Sequence, residues 1–371
     1  VQQEQQEQHV QQEQHVQQEQ ALEDKAGQVR PGEELPEAEL LAYLQQHLEG
    51  LTGPMQVTQF SGGASNWTYR LACANADLIL RRPPAGTKAK SAHDMGREFR
   101  IQQALKPVYP YVPTMHHYCA DESIIGADFY IMDRLHGIIP RKNMPRNLEL
   151  STAQTRTLCQ RALDCFIELH QVDIHAAGLT DLAKGEGYTE RQVSGWSERY
   201  RRAKTWNVPS GKGIMRWLAE HMPTTETICM THNDFRFDNL VLDSQDPTNI
   251  IGVLDWELAT LGNPLMDIGN SLAYWIQADD DAIARSTRRQ PTHLPGMFTR
   301  QQVIDYYCDK MQLDASDFAF YEVFGLFRLS VIAQQIYYRY HHGQTRNPAF
   351  KNFWFLVNYL HWRCRKRMKQ G

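Results

Sequence analysis

Leucines at positions 40, 41, 44 and 48 recur at helical spacing, and they predict an amphipathic helix over about Pro36 to Leu48. The period then shortens. Val57 and Phe60 precede a Gly62-Gly63 turn, Trp67, Tyr69 and Leu71 alternate after it, and Leu78-Ile79-Leu80 follows a short loop. This pattern predicts strands, the first two joined as a hairpin closed by glycines. A helix over about Ala92 to Leu105 and a strand at Phe129-Tyr130-Ile131-Met132 complete a small, strand-rich unit. From about Ser151 the spacing of Leu158, Ala162, Cys165, Phe166 and Leu169 returns to three and four, predicting long helices. One stretch breaks that run. Between Ile228 and Leu254 two apolar segments, Leu240-Val241-Leu242 and Ile250-Ile251-Gly252-Val253-Leu254, bracket a polar turn and predict a strand–loop–strand element.

The predicted architecture is therefore α+β and two-lobed, with a β-rich N-terminal lobe before a mainly helical C-terminal lobe. We divide the chain into a Gln/Glu-rich tail at 1–28, an N-terminal lobe at 29–135, and a helical C-terminal lobe at 136–371. Residues 1–20 nearly repeat the hexamer QQEQHV, with eleven Gln and four Glu. Six matches neither the helical nor the strand period, so the tail is expected to be disordered or loosely helical.

Composition narrows the setting. The 371 residues are 42% hydrophobic, enough in length and apolar content for two lobes with a sizeable core. A net charge of −4 gives no overall attraction to nucleic acid or to an anionic membrane, so any phosphate-binding surface must be local. No apolar run approaches a membrane span and no signal pattern opens the sequence, which leads to the expectation of a cytoplasmic protein without a membrane partner. Seven scattered cysteines contain no CxxC pair and read as reduced, mostly buried thiols.

The polar residues that carry chemistry concentrate in one loop, His232-Asn233-Asp234-Phe235-Arg236-Phe237-Asp238-Asn239. Sixteen residues beyond Asn239, the second predicted strand ends in Asp255-Trp256-Glu257. Phosphoryl transfer asks little covalent chemistry of a protein. It needs a carboxylate at the attacking hydroxyl and oxygen ligands that hold magnesium on the phosphates. An H-x-D-x-x-x-x-N loop followed by Asp supplies both: Asp234 to orient or deprotonate the hydroxyl, Asn239 and Asp255 to ligate Mg²⁺. Upstream, Ser61-Gly62-Gly63-Ala64-Ser65-Asn66 lies between two strands, where small residues let backbone N–H groups approach phosphate oxygens. The following strand, ending in Arg81-Arg82, and the next helix, carrying Glu98, resemble the arrangement in protein kinases, which implies that Arg81, or its neighbour Arg82, contacts ATP phosphates and that Glu98 pairs with that cation.

These spacings resemble the protein-kinase-like superfamily. The string LDWELATLGNPLMDIG resembles the aminoglycoside phosphotransferase family, in particular the branch found alone in bacteria or fused to acyl-CoA dehydrogenase domains. VRPGEEL, FSGGASNWTY, LILRRPP, SAHDMGREFR and THNDFRFDNL carry the same resemblance in order from about Val29 to Asn347. It implies a protein-kinase-like fold and an ATP- and Mg²⁺-dependent kinase acting on a small-molecule hydroxyl. It also implies that His232 is a buried support for the loop, and that Asp238 and Asp267 brace the loop and a helix start. Glu257 matches a D-x-E arrangement of choline kinases, in which the Glu also faces the metal. Two positions depart from the broad family. Asn233 stands where Gly is usual, a substitution that tolerates left-handed backbone, and Arg stands in place of the strand Lys.

The acceptor is read from charge. Between Lys184 and Trp217 there are eight Lys or Arg against three Glu, opposite to what a polycationic acceptor requires. Arg191, Arg199, Arg201, Arg202 and Lys204 thus favour an anionic acceptor, and the resemblance implies a hydroxyacyl-CoA. Another small alcohol, an aminoglycoside or a choline-like compound, is the second reading, and a nucleotide-binding pseudokinase regulator the third. A protein acceptor is disfavoured because no A-P-E-like segment follows Asp255.

Overall fold

The structure, a computed structural model, describes residues 23–61, 66–84, 94–316 and 318–370. The repeat at 1–20 and residues Gly62, Gly63, Ala64 and Ser65 of the glycine turn lie outside the described residues. The chain forms two compact units: one contains the residues up to Leu150, His175–Leu179 and Phe237–Ala259, and the other Ser151–Ile174, Thr180–Arg236 and Thr260 onward. The dividing line passes through the polar loop, between Arg236 and Phe237.

The first unit is built on an antiparallel sheet of β1 (Gln56–Gln59), β2 (Trp67–Ala72), β3 (Asp77–Arg82), β4 (Met115–Cys119) and β5 (Phe129–Asp133), in the order β1-β2-β3-β5-β4. Helix α1 (Glu37–His47) buries Leu40 and Leu44 against one sheet face, with Tyr69, Leu71, Leu78, Leu80, Phe129 and Ile131. Full burial of each leucine contributes about 1.5–3 kcal/mol. Helix α2 (Met95–Leu105) starts at Asp94, whose side chain accepts from the Arg97 amide, and covers the other face over Ile79, Tyr130 and Met132. Residues within a strand alternate between faces. Leu78 and Leu80 of β3 therefore face α1, whereas Ile79 and Arg81 face α2. A two-stranded element, β7 (Leu240–Leu242) with β8 (Ile250–Val253), completes the unit, preceded by a 3₁₀ turn at Phe237–Asn239 and followed by another at Trp256–Leu258.

Residues 23–28, read from sequence as the end of the tail, are tied to this unit. Gly27 exchanges both backbone hydrogen bonds with Gln59. Glu23 pairs with Arg134 at 2.8 Å and Asp24 with Arg141 at 2.7 Å. Arg134 also bonds Asp77, which holds Arg70 from the other side. Burial pushes the Asp77 carboxyl up, but Arg70 and Arg134 outweigh it and hold it below the usual carboxylate range.

The second unit is helical, comprising α3 (Thr152–His170), α4 (Tyr188–Ala203), α5 (Lys212–Glu220), α6 (Pro264–Ala273), α7 (Ala282–Thr287), α8 (Arg300–Met311), α9 (Ala319–His341) and α10 (Phe353–Met368). A small sheet in it pairs β6 (Cys229–Thr231) with β9 (Thr260–Gly262). Helices α6 and α9 cross backbone to backbone. A Cβ on Gly325 would come within 2.0 Å of the Gly269 carbonyl, and one on Gly269 within 2.3 Å of the Tyr321 carbonyl. That contact requires glycine on both helices and aligns their polar residues on one target, the loop after β6. Helix α4 is held at its start by Glu226, which accepts from the Tyr188 and Thr189 amides and the Thr189 hydroxyl. Burial pushes Glu226 up, but the Thr189 and Tyr188 bonds outweigh it and lower its pKa.

Among the described residues no helix is long and apolar enough to cross a membrane.

Candidate functional site

In the first unit, strand alternation puts the two adjacent arginines on opposite faces of the sheet. Arg81 lies on the α2 face and lines a cavity with Ile79, Met132, Asn239, Leu254 and Asp255. Arg82 lies on the opposite face, donating to the Ile125 carbonyl at 2.8 Å and sitting 5.3 Å from the Trp67 ring centre. Arg81 Nη2 donates to Asp255 Oδ1 at 3.0 Å, and its Nη1 is 4.0 Å from Glu98 Oε2. Its Nε is buried without a hydrogen-bond partner among the described residues. Burial disfavours the Arg81 cation. Tyr130, Glu98 and Asp255 outweigh that and hold its pKa above the ordinary arginine value. Burial pushes the Glu98 carboxyl up, opposed by the Arg81 charge and by bonds from Tyr130 and Asn66.

The second metal-ligand candidate reaches the cavity by a backbone route. The Leu254 amide donates to the Asn239 carbonyl at 2.8 Å, so the 3₁₀ turn after the polar loop is fastened to the end of β8. Asp255 follows with φ 68°, in the left-handed region, where Asp is among the few non-glycine residues found. Trp256 is fully buried and donates to the Val253 carbonyl, which fixes the turn behind it. Asn239 and Asp255 thus line the same cavity as Arg81.

Four neighbours complete this half. Asn66, fully buried, donates to Glu98 at 3.1 Å and to Glu257 at 3.4 Å, so its amide links α2 to the Asp255-Trp256-Glu257 segment. Ser61 is exposed at the other end of the glycine turn. Two residues were not singled out from sequence: Tyr130, whose hydroxyl donates to Glu98 at 2.9 Å, and Arg97, which donates to the Glu257 and Ala259 carbonyls. Tyr130 sits on a predicted strand, but alternation alone gives no reason to choose it. Arg97 belongs to a polar helix face.

Asp234 falls in the second unit. Asp267 of α6 accepts from the His232 amide at 2.7 Å and from the Asn233 amide at 2.8 Å, and His170 bonds the same carboxylate at 3.2 Å. Ser271, one turn along α6, donates to the Phe235 carbonyl at 2.8 Å. Arg328 of α9, buried, donates to the Asn233 carbonyl at 3.0 Å. The loop backbone is therefore held on three sides. His232 is fully buried and its Nδ1 accepts from the Asp234 amide at 3.2 Å. Asn233 has φ 64°, so this non-glycine residue adopts the left-handed backbone. Asp234 Oδ2 is 3.2 Å from Arg236 Nη2, both side chains being 17% exposed, and Arg236 stacks over Tyr274. The carboxylate is thus oriented yet still reachable.

The basic residues of α4 separate by direction. Arg201 and Arg202 both turn to Glu198 on the exposed face, and Arg191 donates to the carbonyls of Gly185 and Glu186. Arg199 alone of the helix's arginines turns to an aromatic ring, 4.5 Å from the centre of Trp196.

Together, the five-stranded sheet with its buried Arg–Glu pair, the H-x-D-x-x-x-x-N loop and the Asp after a short hairpin define a kinase-like phosphotransferase. Residues 56–301 match the model of the phosphotransferase enzyme family, and the chain belongs to that family of small-molecule kinases with alcohol acceptors. It is similar to acyl-CoA dehydrogenase family member 10 of Mus musculus, with 37% identity over 82% of this chain. It is also similar to acyl-CoA dehydrogenase family member 11 of Rattus norvegicus, with 34% identity over 86% of this chain. The chain spans only 29% and 41% of those two relatives' lengths. A structure from Ralstonia eutropha JMP134, assigned provisionally as an aminoglycoside phosphotransferase, is 27% identical. It superposes with a TM-score of 0.77 over 91% of this chain and 99% of that one. Choline kinase from Cryptosporidium parvum, at 12% identity and a TM-score of 0.58 over 89% of this chain and 96% of its own, shares the fold.

Proposed function

We propose that this chain transfers the γ-phosphoryl group of ATP to the hydroxyl of a hydroxyacyl-CoA, with magnesium. The observation that carries the nucleotide part is the cavity that gathers Arg81, Asn239 and Asp255, with Glu98 behind Arg81. Its apolar wall, including Ile79, Met132, Val241 and Leu254, suits a flat base, and Arg81 suits the phosphates.

The donor set fits magnesium. One carboxylate and one amide oxygen are hard ligands, and among the described residues no three His, Cys, Asp or Glu side chains gather into a metal cage. Magnesium is commonly held by one or two protein oxygens, with phosphates and water completing its shell. When bound, it neutralises charge on the phosphates. Asn239 and Asp255 would hold the ion, Arg81 would hold phosphate oxygens, and Glu98 keeps Arg81 in place. Asp234 accepts the proton of the acceptor hydroxyl while the hydroxyl oxygen bonds to the γ-phosphorus. The bond from that phosphorus to the β,γ-bridging oxygen breaks and ADP leaves.

The acceptor class rests on the two acyl-CoA dehydrogenase relatives and on the surplus of cations in α4 and its flanks. Phosphorylation turns a hydroxyl, a poor leaving group, into a good one, a useful step in remodelling a hydroxylated acyl chain. The test is ATP-dependent product formation on hydroxyacyl-CoAs, free hydroxy acids, choline and aminoglycosides. A hydroxyacyl-CoA should be preferred by at least about tenfold in kcat/KM, as remote binding energy is used at the reacting centre. A preference for choline or an aminoglycoside overturns the acceptor, and absence of any turnover with ATP overturns the kinase.

A further inference from the structure

Helix α4 and helix α9 bring two arginines to one indole. Arg199 Cζ lies 4.5 Å and Arg328 Cζ 5.2 Å from the Trp196 ring centre. Trp196 is fixed by its Nε1 donating to Gln192 at 3.2 Å. Arg328 is anchored on the carbonyl of Asn233, the residue before Asp234. Helix α4 is itself held against this region, since Tyr188 packs so closely on Gly262 of β9 that a Cβ there would come within 2.6 Å of its ring. This cluster is thus built onto the same framework as the catalytic loop, within one compact unit.

What the cluster lacks, among the described residues, is an acid paired with either arginine. Among the described residues neither Arg199 nor Arg328 forms an ion pair, and the nearest acid in sequence, Glu198, is taken by Arg201 and Arg202. Burial, and then the charge of Arg328, lower the pKa of Arg199. Arginine nevertheless remains charged at any physiological pH, so the repulsion cannot be relieved by losing a proton. The indole face offsets part of it, about 0.5–2 kcal/mol for a cation–π contact. A planar guanidinium on an aromatic face with its N–H edge unclaimed matches a phosphate or carboxylate, to which it can donate two parallel hydrogen bonds.

We propose that Arg199, on Trp196 and backed by Arg328, docks an oxyanion carried by the acceptor, and so orients the acceptor hydroxyl toward Asp234. This rests on the kinase reading above and sharpens its acceptor to one bearing a phosphate or carboxylate away from the reacting hydroxyl. It also reduces the basic segment to a single external anion contact from α4. Arg201 and Arg202, the most obvious cations in the sequence, lie outside it.

The test uses the full chain with Mg²⁺ and saturating AMP-PNP, so that anions cannot enter through the nucleotide pocket. Coenzyme A, inorganic pyrophosphate and 3-hydroxybutyrate are titrated calorimetrically into wild type, Arg199→Gln, Arg199→Lys and Arg201→Gln. At least one of the three should bind wild type and bind Arg199→Gln roughly tenfold or more weakly. Arg199→Lys should be intermediate, because an ammonium keeps the charge but loses the fork, and Arg201→Gln should match wild type. Loss confined to coenzyme A and pyrophosphate identifies a phosphate, and loss confined to 3-hydroxybutyrate a carboxylate. Equal affinity in wild type and Arg199→Gln overturns the proposal, as does failure of all three to bind wild type. If no hydroxyacyl-CoA is phosphorylated but anion binding still depends on Arg199, the acyl-CoA reading falls and this inference stands.

Discussion

Arg81 Nη2 lies 3.0 Å from Asp255 Oδ1 while its Nη1 lies 4.0 Å from Glu98, so one buried guanidinium lies between two carboxylates from different elements. Arg82, one residue on, serves neither. The neighbours should therefore fail in different ways. Arg81→Ala should raise the KM for ATP and lower kcat. Arg82→Ala should leave nucleotide kinetics near wild type but cost stability by about 1.5–3 kcal/mol, the worth of a charged hydrogen bond to a buried carbonyl. Steady-state kinetics beside denaturant titration separates the two; unchanged ATP kinetics in Arg81→Ala would remove its assignment.

Asp234→Asn preserves size and the Asp234 amide bond to His232, so the loop should keep its shape. ATP affinity should survive while kcat falls about 10²–10⁴-fold, the usual worth of general acid–base assistance. A fully active variant would sink the role given to Asp234.

The strand alternation that places Arg81 was legible in Leu78-Ile79-Leu80, but the choice between Arg81 and Arg82 was not. It depends on which face receives α2, and that is settled by packing of Ile79 against Met95 rather than by any local spacing. Strand β4 escaped because Met115-His116-His117-Tyr118-Cys119 does not alternate cleanly. Strand β9 has three residues, too short for a period, and pairs antiparallel with β6, its central Leu261 opposite Met230, 31 positions earlier. The polar loop was legible as a string, as was the need for a left-handed residue at Asn233. Its supports are single side chains from distant helices, such as Arg328, and leave no local mark. Composition gave the charge of α4 but not its directions, because Glu198 draws in Arg201 and Arg202.

The backbone contact between α6 and α9 should make Gly325 intolerant. Gly325→Ala forces apart the helices that carry Asp267, Ser271 and Arg328, costing at least about 1–3 kcal/mol by overpacking. Because those residues hold the loop, kcat should fall with the melting temperature. Gly195→Ala, in α4 with open space around it, should instead stabilise by about 0.4–1 kcal/mol. Equal melting temperatures for the two variants would contradict the close crossing.

Asp280 and Arg300 give a pH signature. Burial pushes the Asp280 carboxyl up, but bonds to Arg300 at 2.6 and 2.8 Å outweigh it, and the folded pKa lies below the ordinary 3.8. A lowered folded pKa means the contribution is fully present above the unfolded value and is lost as pH falls through the folded one. Asp280→Asn should therefore lower the melting temperature at neutral pH, and the gap to wild type should close as pH falls below about 4. A gap constant across an acid titration would show that the pair's charge contributes nothing.

The positive φ at Asp255 restricts which residues are informative there. Left-handed backbone is cheap for Gly, Asn and Asp and disfavoured for residues with larger or branched side chains. A complete substitution scan should thus split position 255 into two tiers. Asn and Gly would give folded, inactive protein, whereas Val or Ile would also lose abundance. An alanine variant mixes both effects. The chemical contribution of the Asp255 carboxylate is therefore readable only against Asn, the one replacement that keeps both its shape and its backbone.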